Sequence, residues 1–469
     1  MENLNTNFSD FVSKLAIILD SDSIFQDHAV LKSYGHDETE DLEFLPQIVL
    51  KPKSTEDVSA IMKLCSEYHI PVTPQGARTG LSGGALPLKG GVALSLEKLN
   101  RIIEIDNDNL QVVVEPGVIV QELQEKVAEH GLFYPPDPSS KGSCFIGGNI
   151  AENAGGPKAV KYGVTKDYVL NLEVVLADGN IIWTGANVLK NATGYNLTQL
   201  MVGSEGTLGI VTKAVLKLIP YPKFDRLLLV PFTAIENATK AVAAIFKAGI
   251  TPSGLEFMER DAILWTIDFM GGSDINTNDD VAAHLLIEVD GNNESVLMND
   301  LESILEVVES FNCGEVLFAE DQSQKDKLWQ IRRKVGEAVK SQSIYKEEDT
   351  VVPRYKLPEL LLGVKQIGRE YNFKTVCYGH AGDGNLHINI LKGNLSDEFW
   401  NEGLKVAITK IFDLTVRLGG TISGEHGIGY VQKEFMTIPF SKVQLGLMRQ
   451  IKSVFDPIGI LNPNKIFPS

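Results

Sequence analysis

The chain has 469 residues, enough for two or more domains with full cores, and its composition is that of an ordinary water-soluble globular protein: 43% hydrophobic, 22% charged, mean hydropathy near zero. A formal net charge of −18 argues against nucleic acid as a partner, because an acidic surface repels phosphate backbones, and it matches an anionic bilayer poorly. Four scattered cysteines, Cys65, Cys144, Cys313 and Cys377, form no CxxC and read as small buried hydrophobes in a reducing compartment.

In chain order, the first residues show no basic stretch leading into an apolar core, and no run reaches the ~20 apolar residues that span a bilayer. The expected location is cytoplasmic, with peripheral attachment at the inner face of a membrane left open. Over residues 7–20, Phe8, Phe11, Val12, Leu15, Ile18 and Leu19 recur at helical spacing and predict an amphipathic helix. From Pro46 to about Pro220, β-rich runs (Val92–Leu96, Gln111–Val114, Leu172–Leu176, Gly209–Leu218) alternate with helical segments (Thr55–Glu67, Ile119–His130) and glycine-rich loops. A new region starts near Lys223. Strands Arg226–Phe232, Ser253–Met258 and His284–Val289, with helices Ala234–Ala248 and Ser295–Ser310, predict an antiparallel sheet with helices on one face. Residues 270–280 read as a solvated loop. Helix Glu398–Leu418 draws a buried stripe from Val406, Ile408, Ile411, Phe412 and Leu414. The fold class is α+β, divided into residues 1–222, 223–424 and a C-terminal segment 425–469.

Three glycine clusters stand out in the N-terminal half. The first, Pro74-Gln-Gly-Ala-Arg-Thr-Gly-Leu-Ser-Gly-Gly84, follows the β-like run His69–Thr73. Its four glycines can turn amide N–H groups inward, and Thr79 and Ser82 add hydroxyls, which suits a pyrophosphate. It is neither a Walker A loop nor a spaced GxGxxG. The second comprises Pro135–Ser143, Gly147–Gly156 and Lys161-Tyr-Gly163, with more backbone freedom than an ordinary loop needs. The third, Gly203-Ser-Glu-Gly-Thr-Leu-Gly-Ile-Val-Thr212, is a glycine turn feeding a strand.

In this order and spacing the clusters resemble the FAD-binding domain of the vanillyl-alcohol oxidase / p-cresol methylhydroxylase superfamily. Within it the chain is similar to the branch of glycolate oxidase subunits, D-lactate dehydrogenases and D-2-hydroxyglutarate dehydrogenases, over almost its whole length. The resemblance implies that Gln75, Gly76, Ala77, Arg78, Thr79, Gly80, Leu81 and Ser82 wrap the FAD pyrophosphate. It implies further flavin contacts at Asp137, Ser140, Gly142, Ser143, Gly147, Gly148, Asn149, Asn153, Gly155, Gly156 and Tyr162, and at Glu205, Gly206, Ile210 and Val211. Asn462, in the closing Leu461-Asn-Pro-Asn-Lys465, is implied to return the chain to the cofactor. Some members bond FAD through a His in the first loop; residues 74–84 contain none, so the FAD is expected to be non-covalent. The nearest, His69, reads as structural.

In the C-terminal half, Tyr378-Gly-His-Ala-Gly-Asp-Gly-Asn-Leu-His-Ile-Asn-Ile390 places two of the chain's eight histidines within eight residues. Its glycines make a helix improbable, and Leu386–Ile390 alternates as a strand, so His387 and Asn389 share a face toward which a turn can fold His380. Two converging imidazoles are a metal-site geometry. In Ser423-Gly-Glu-His-Gly-Ile-Gly429, Glu425 can add a carboxylate and leave His426 free for acid/base work. The family resemblance implies the same roles: His380, His387 and Glu425 hold a divalent metal (Zn, Mn or Fe, not distinguished), His426 acts on the substrate hydroxyl, and Asn389 stands nearby. An Arg three residues after a comparable Trp clamps the substrate carboxylate in the family, which selects Arg332 after Trp329, since Arg matches a carboxylate in a bidentate way that Lys does not.

The implied reaction is oxidation of a small D-2-hydroxy acid to the 2-oxo acid, with hydride passing to flavin N5. Positions near Gly336 and Lys346-Glu-Glu-Asp349 lack the Thr and Lys expected around a second carboxylate, which favours D-lactate or glycolate over D-2-hydroxyglutarate. The alternatives are that dicarboxylate, or a flavin electron-transfer subunit of a larger complex. The electron acceptor stays open among quinone, cytochrome, electron-transfer flavoprotein and a partner subunit, and a homodimer is compatible with the sequence.

Overall fold

A computed structural model describes residues 2–39, 42–272, 275, 277 and 280–469, with side chains from residue 8 onward. The chain forms two compact units, one of Met1–Ala154, Val164–Tyr221 and Glu425–Ser469, the other of Gly155–Gly163 and Pro222–Gly424.

In the first unit a four-stranded sheet runs in the order Ile24–Phe25, Ile48–Leu50, Val92–Ser95, Val72–Gln75. The last three are mutually parallel, so helix Thr55–Tyr68 serves as a crossover. The Ser54 side chain accepts from Asp57 N–H to start this helix, and His69 ends it in the left-handed conformation at φ 52°. His69 is therefore a helix cap rather than the start of a strand. Val58, Ile61, Met62 and Cys65 pack with Ile48, Leu50, Val72, Val92 and Leu94, and the N-terminal helix Glu2–Ile18 adds Phe11 and Leu15 to the same core. Each such side chain stabilises the fold by about 1.5–3 kcal/mol. Ile18, expected in that stripe, is 40% exposed because the helix ends there. A second, antiparallel sheet orders Ile102–Asp106, Gln111–Val114, Ile210–Lys217, Val169–Val175 and Ile181–Trp183. The C-terminal segment joins this unit through hydrogen bonds from Val72 N–H to Ile460 O and from Asn462 N–H to Val72 O.

The second unit is a seven-stranded antiparallel sheet, ordered Leu317–Phe318, Phe224–Phe232, Ala283–Gly291, Gly254–Glu259, Lys374–Gly379, Asn385–Leu391, Tyr345–Val351. Leu227, Leu229, Met258, Leu286 and Val376 share a core with Leu328, Val335 and Val339 of helix Gln322–Gln342. The alternating residues Leu228, Val230, Leu285 and Ile287 are also buried, and helices Ile235–Lys247 and Glu294–Glu309 contact these strands. The sheet is thus covered on both faces, not on one as the sequence suggested. Helix Glu398–Leu418 resolves into a π-turn, Phe399–Gly403, and an α-helix, Leu404–Arg417, and Val406 is 54% exposed, outside the buried stripe. Of the loop expected over 270–280, positions 273, 274, 276, 278 and 279 lie outside the described residues. Cys65, Cys144 and Cys377 are buried free thiols and Cys313 is half-buried; burial pushes the Cys65 thiol up, as in an inert structural cysteine. Among the described residues no helix is long and apolar enough to cross a membrane.

Candidate active site

In the first unit the loop after strand Val72–Gln75 is built by its own backbone. Gln75 donates to Tyr34 O (2.9 Å) and Ala85 O (2.7 Å), and Arg78, at φ 60°, lays its guanidinium over the Tyr34 ring at 4.1 Å. Gln75 Oε1, Ser82 Oγ and Asn462 Oδ1 are buried without a protein partner, and a Cβ at Gly80 or Gly148 would meet open space. Buried polar atoms are nearly always paired, so these three ask for a polar ligand along the loop.

The same unit ties this loop to the C-terminal segment. Glu205, in the left-handed conformation that Gly203 and Gly206 flank, accepts from Ile428 N–H (2.8 Å) and Gly429 N–H (2.7 Å). Lys465 Nζ donates to the carbonyls of Gly83, Gly84 and Leu86, and Asn462 donates to those of Gly84 and Glu205. Gly427 must lack a side chain, because its Cβ would lie 2.0 Å from Glu152 Oε2. Burial pushes the Glu152 acid well above the usual carboxylate range, and the Glu205 carboxylate adds to this more than Lys465 offsets. Between the ordinary value and the raised one the folded chain holds a proton that the unfolded chain has lost, so stability falls as pH rises through that window. Glu152→Gln carries no such proton. It is expected to melt above wild type at neutral pH, with the gap closing as pH falls below about 4.5, where Glu152 is protonated in both the folded and the unfolded chain. A variant that melts lower at pH 7 would show that burial does not destabilise the Glu152 carboxyl group.

In the second unit the predicted hairpin forms. Strand Lys374–Gly379 turns through residues 380–384 into Asn385–Leu391, with Gly379 and Gly384 at positive φ. A Cβ on Gly384 would lie 1.9 Å from Val352 O, so only glycine fits. Cross-strand register puts His387 opposite both Tyr378 and Asp349, and Asn389 opposite both Val376 and Glu347, all on the sheet face that helix Gln322–Gln342 covers. His380 and His387 are buried with ring centroids 5.6 Å apart at 79°. His380 Nδ1 is 2.8–2.9 Å from both oxygens of Glu256, and His387 Nδ1 is 2.9 Å from Glu347 Oε1. The Glu256 carboxylate thereby holds the His380 ring at Nδ1, whereas Glu347 lies beside His387 Nδ1 without a well-aligned hydrogen bond. Arg332, 2% exposed, pairs through Nε with Glu256 Oε2 at 2.7 Å, faces the Tyr378 ring, and keeps Nη2 without a protein partner. Burial works to raise the Glu256 acid, but His380 and Arg332 outweigh it and hold the carboxyl below its usual range. Asn389 is wholly buried, its amide beside the Tyr378 hydroxyl without a well-aligned hydrogen bond. Asp349 accepts from Asn385 Nδ2, Ser423 Oγ and Gly424 N–H, which fixes the chain immediately before Glu425.

Family models match two parts of the chain: "FAD binding domain" over residues 46–185 and "FAD linked oxidases, C-terminal domain" over residues 221–466. A D-lactate dehydrogenase of Anaerostipes hadrus is 41% identical over 90% of this chain and 89% of its own length. A glycolate oxidase subunit of Bacillus subtilis (strain 168) is 40% identical over 92% of both chains. The chain belongs to the FAD-linked oxidase family. A crystal structure of p-cresol methylhydroxylase, 18% identical, superposes with a TM-score of 0.82 over 98% of this chain and 97% of that one, which shows the shared α+β fold.

Gln75 and Ser82 lie within the segment matched as the FAD-binding domain, and Asn462 within the C-terminal match. Within the family's FAD-binding segment, Asp137 and Asn149 are buried, while Gly142 and Ser143 are exposed and Ser140 half-buried. Asn153 accepts from Lys166 N–H and Ile210 points into the core, so their own side chains are already engaged. Gly155, Gly156 and Tyr162, expected from the sequence as flavin contacts, belong to the second unit, where the Tyr162 hydroxyl donates to Asp290 at 2.8 Å. That places the Tyr162 side chain in a network with Lys158, Lys161 and Glu288, which Trp329 Nε1 joins at 2.8 Å. Sequence reasoning missed Glu256 and Glu347, the carboxylates beside the two histidines. For Glu256 the signal was an acidic residue inside an otherwise apolar run, Gly254-Leu-Glu-Phe-Met258, whereas Glu347 sits in the charged stretch Lys346-Glu-Glu-Asp349 and had none.

Proposed function

We propose that the chain oxidises a small D-2-hydroxy acid, D-lactate or glycolate rather than a dicarboxylate, to the 2-oxo acid, with non-covalent FAD and a divalent metal. The observation that carries this reading is the buried cluster of Arg332, His380 and His387, two imidazoles each with a carboxylate within 2.9 Å of Nδ1, beside a guanidinium whose Nη2 has no partner among the described residues. When bound, FAD supplies the acceptor for a hydride and the metal supplies Lewis acidity that makes a hydroxyl easier to deprotonate. Everything else is work for the chain's own residues. Arg332 holds the substrate carboxylate through the edge that Glu256 leaves open, a charge-assisted pairing in a dry setting. His380 and His387 offer Nε2 to the metal, with Glu256 and Glu347 keeping their rings in place. Glu425 is assigned as the carboxylate ligand, and His426 as the base that takes the hydroxyl proton, on the motif Ser423–Gly429 alone. An imidazole base suits proton transfer near neutral pH.

The purified protein is expected to be yellow and to release intact FAD on acid or heat denaturation, since residues 74–84 hold no histidine. Flavin that stays on the chain would refute the non-covalent assignment. The reading is tested by anaerobic bleaching of the bound flavin with D- and L-lactate, glycolate and D-2-hydroxyglutarate. D-lactate or glycolate should bleach it fastest. Bleaching by D-2-hydroxyglutarate alone would transfer the assignment to a dicarboxylate, and a flavin that none of them reduces would overturn it.

A further inference from the structure

The second unit carries a cavity of about 560 Å³ that flavin and hydroxy-acid chemistry leave without a role. It lies at the start of helix Arg260–Phe269, beside helix Leu357–Tyr371 and strand Lys374–Gly379. Strand alternation separates it from the histidines. Glu256 and Met258 face the side of His380 and Tyr378, while Glu259 and Thr375, an odd number of residues away, belong to the opposite face of the same sheet. The sheet itself stands between the two.

Polar groups of two kinds line it. In its wall Glu259, 5% exposed, takes the Lys365 ammonium and the Cys377 N–H on Oε2, each at 2.8 Å, and has no partner for Oε1 among the described residues. Thr375, also 5% exposed, has only the Cys377 thiol near its hydroxyl, without a well-aligned hydrogen bond among the described residues. Glu259 precedes the helix without capping it by its side chain, so the positive end of a ten-residue helix also opens here. At the rim stand Arg260, Arg369 and Lys374, with Asp261 bound to Lys374 at 2.6 Å. With Lys365 these make four cationic side chains against the two carboxylates of Glu259 and Asp261, in a chain whose net charge is −18. Arg369 is exposed and makes no salt bridge among the described residues.

Net positive charge at a mouth recruits an anion. A simple anion, however, brings only acceptors, and the buried Glu259 carboxylate would repel it. We propose that this cavity is a second ligand site, for a small anion that also carries a hydroxyl or amino group, its charge met by Arg369 and the rim and its donor by Glu259 Oε1 and Thr375 Oγ1. Carboxylate and phosphate share that chemistry, and the test separates them. The site needs nothing from the flavin reaction.

The FAD-loaded full chain is titrated in a calorimeter with glycerol 3-phosphate and with serine, and with sulfate and acetate, which bear charge but no donor at neutral pH. One of the first two should bind at a single site, glycerol 3-phosphate marking a phosphate site and serine a carboxylate site. Sulfate and acetate should bind at least tenfold more weakly. Arg369→Ala, on an exposed helix face, should weaken the bound probe about tenfold or more, as loss of one charge-assisted hydrogen bond does. Thr375→Val, which removes the hydroxyl and keeps the side-chain volume, should weaken it severalfold, and melting temperature and FAD content should not move in either variant. No binding by either probe, binding that survives Arg369→Ala, or sulfate binding as tightly as the donor-bearing anions would each overturn the proposal.

Discussion

Turnover by His380→Ala is expected to fall by roughly a thousandfold or more, with FAD still bound in full. A metal's contribution to transition-state charge is worth several kcal/mol, and about 1.4 kcal/mol is tenfold in rate. His380 is buried and its Nδ1 is held by Glu256, so the ring cannot swing away to be replaced by another donor. Removing it leaves Glu256 still paired with Arg332 at 2.7 Å, so the buried charge stays compensated and the unit should fold. Residues 75–82, proposed to wrap the FAD, lie in the other compact unit, which is why flavin content should not change. Exhaustive treatment with a chelator should reproduce the variant, and added metal should restore the wild type but not the variant. Glu347→Gln should be milder, about 10- to 100-fold, because it acts on the orientation of His387 and not on the ligand itself. Elemental analysis beside the activity assay decides the matter. Full activity in a verified metal-free sample would take the metal out of the mechanism.

The uneven legibility of this site in the sequence has a physical cause. His380, His387 and Asn389 could be placed together because one hairpin carries all three, and strand alternation with glycine turns is a local rule. Glu256 could not, because it reaches His380 from 124 residues away through the pairing of strands Gly254–Glu259 and Lys374–Gly379, which no local pattern dictates. Tyr162 shows the same non-local effect. It follows the flavin-type loop closely in sequence, yet residues 155–163 cross to the second unit, where Asp290 takes its hydroxyl. The two-sided cover of the large sheet was readable in principle. Leu227-Leu-Leu-Val230 is a continuous apolar run, the mark of a strand buried on both faces, whereas a half-exposed strand alternates.

Arg332→Lys is expected to lower kcat/KM by about 10- to 150-fold with folding and flavin content unchanged. The figure is the loss of one charge-assisted hydrogen bond, roughly 1.5–3 kcal/mol, converted by transition-state arithmetic. Lysine is the informative replacement here. Arg332→Ala would strand Glu256, a wholly buried carboxylate, with only His380 beside it, and breaking a buried pair costs about 3–5 kcal/mol, so lost activity could merely report unfolding. Lysine keeps a positive charge for Glu256 but has no second edge, so the carboxylate-binding geometry goes while the charge balance stays. The loss should appear in the rate of anaerobic flavin reduction at subsaturating substrate. Arg333→Lys is the comparison. Arg333 is half-buried with its guanidinium 5.4 Å from the Trp329 ring centre, a contact that an ammonium can also make, and its direction on the helix differs from that of Arg332 by about 100°. It should behave nearly as wild type. If Arg333 were the sensitive position and Arg332 indifferent, the spacing from Trp329 would have been read one residue short. If neither mattered, the buried guanidinium would be there to neutralise Glu256 and to fix His380, and the substrate carboxylate would have to be met by another cation.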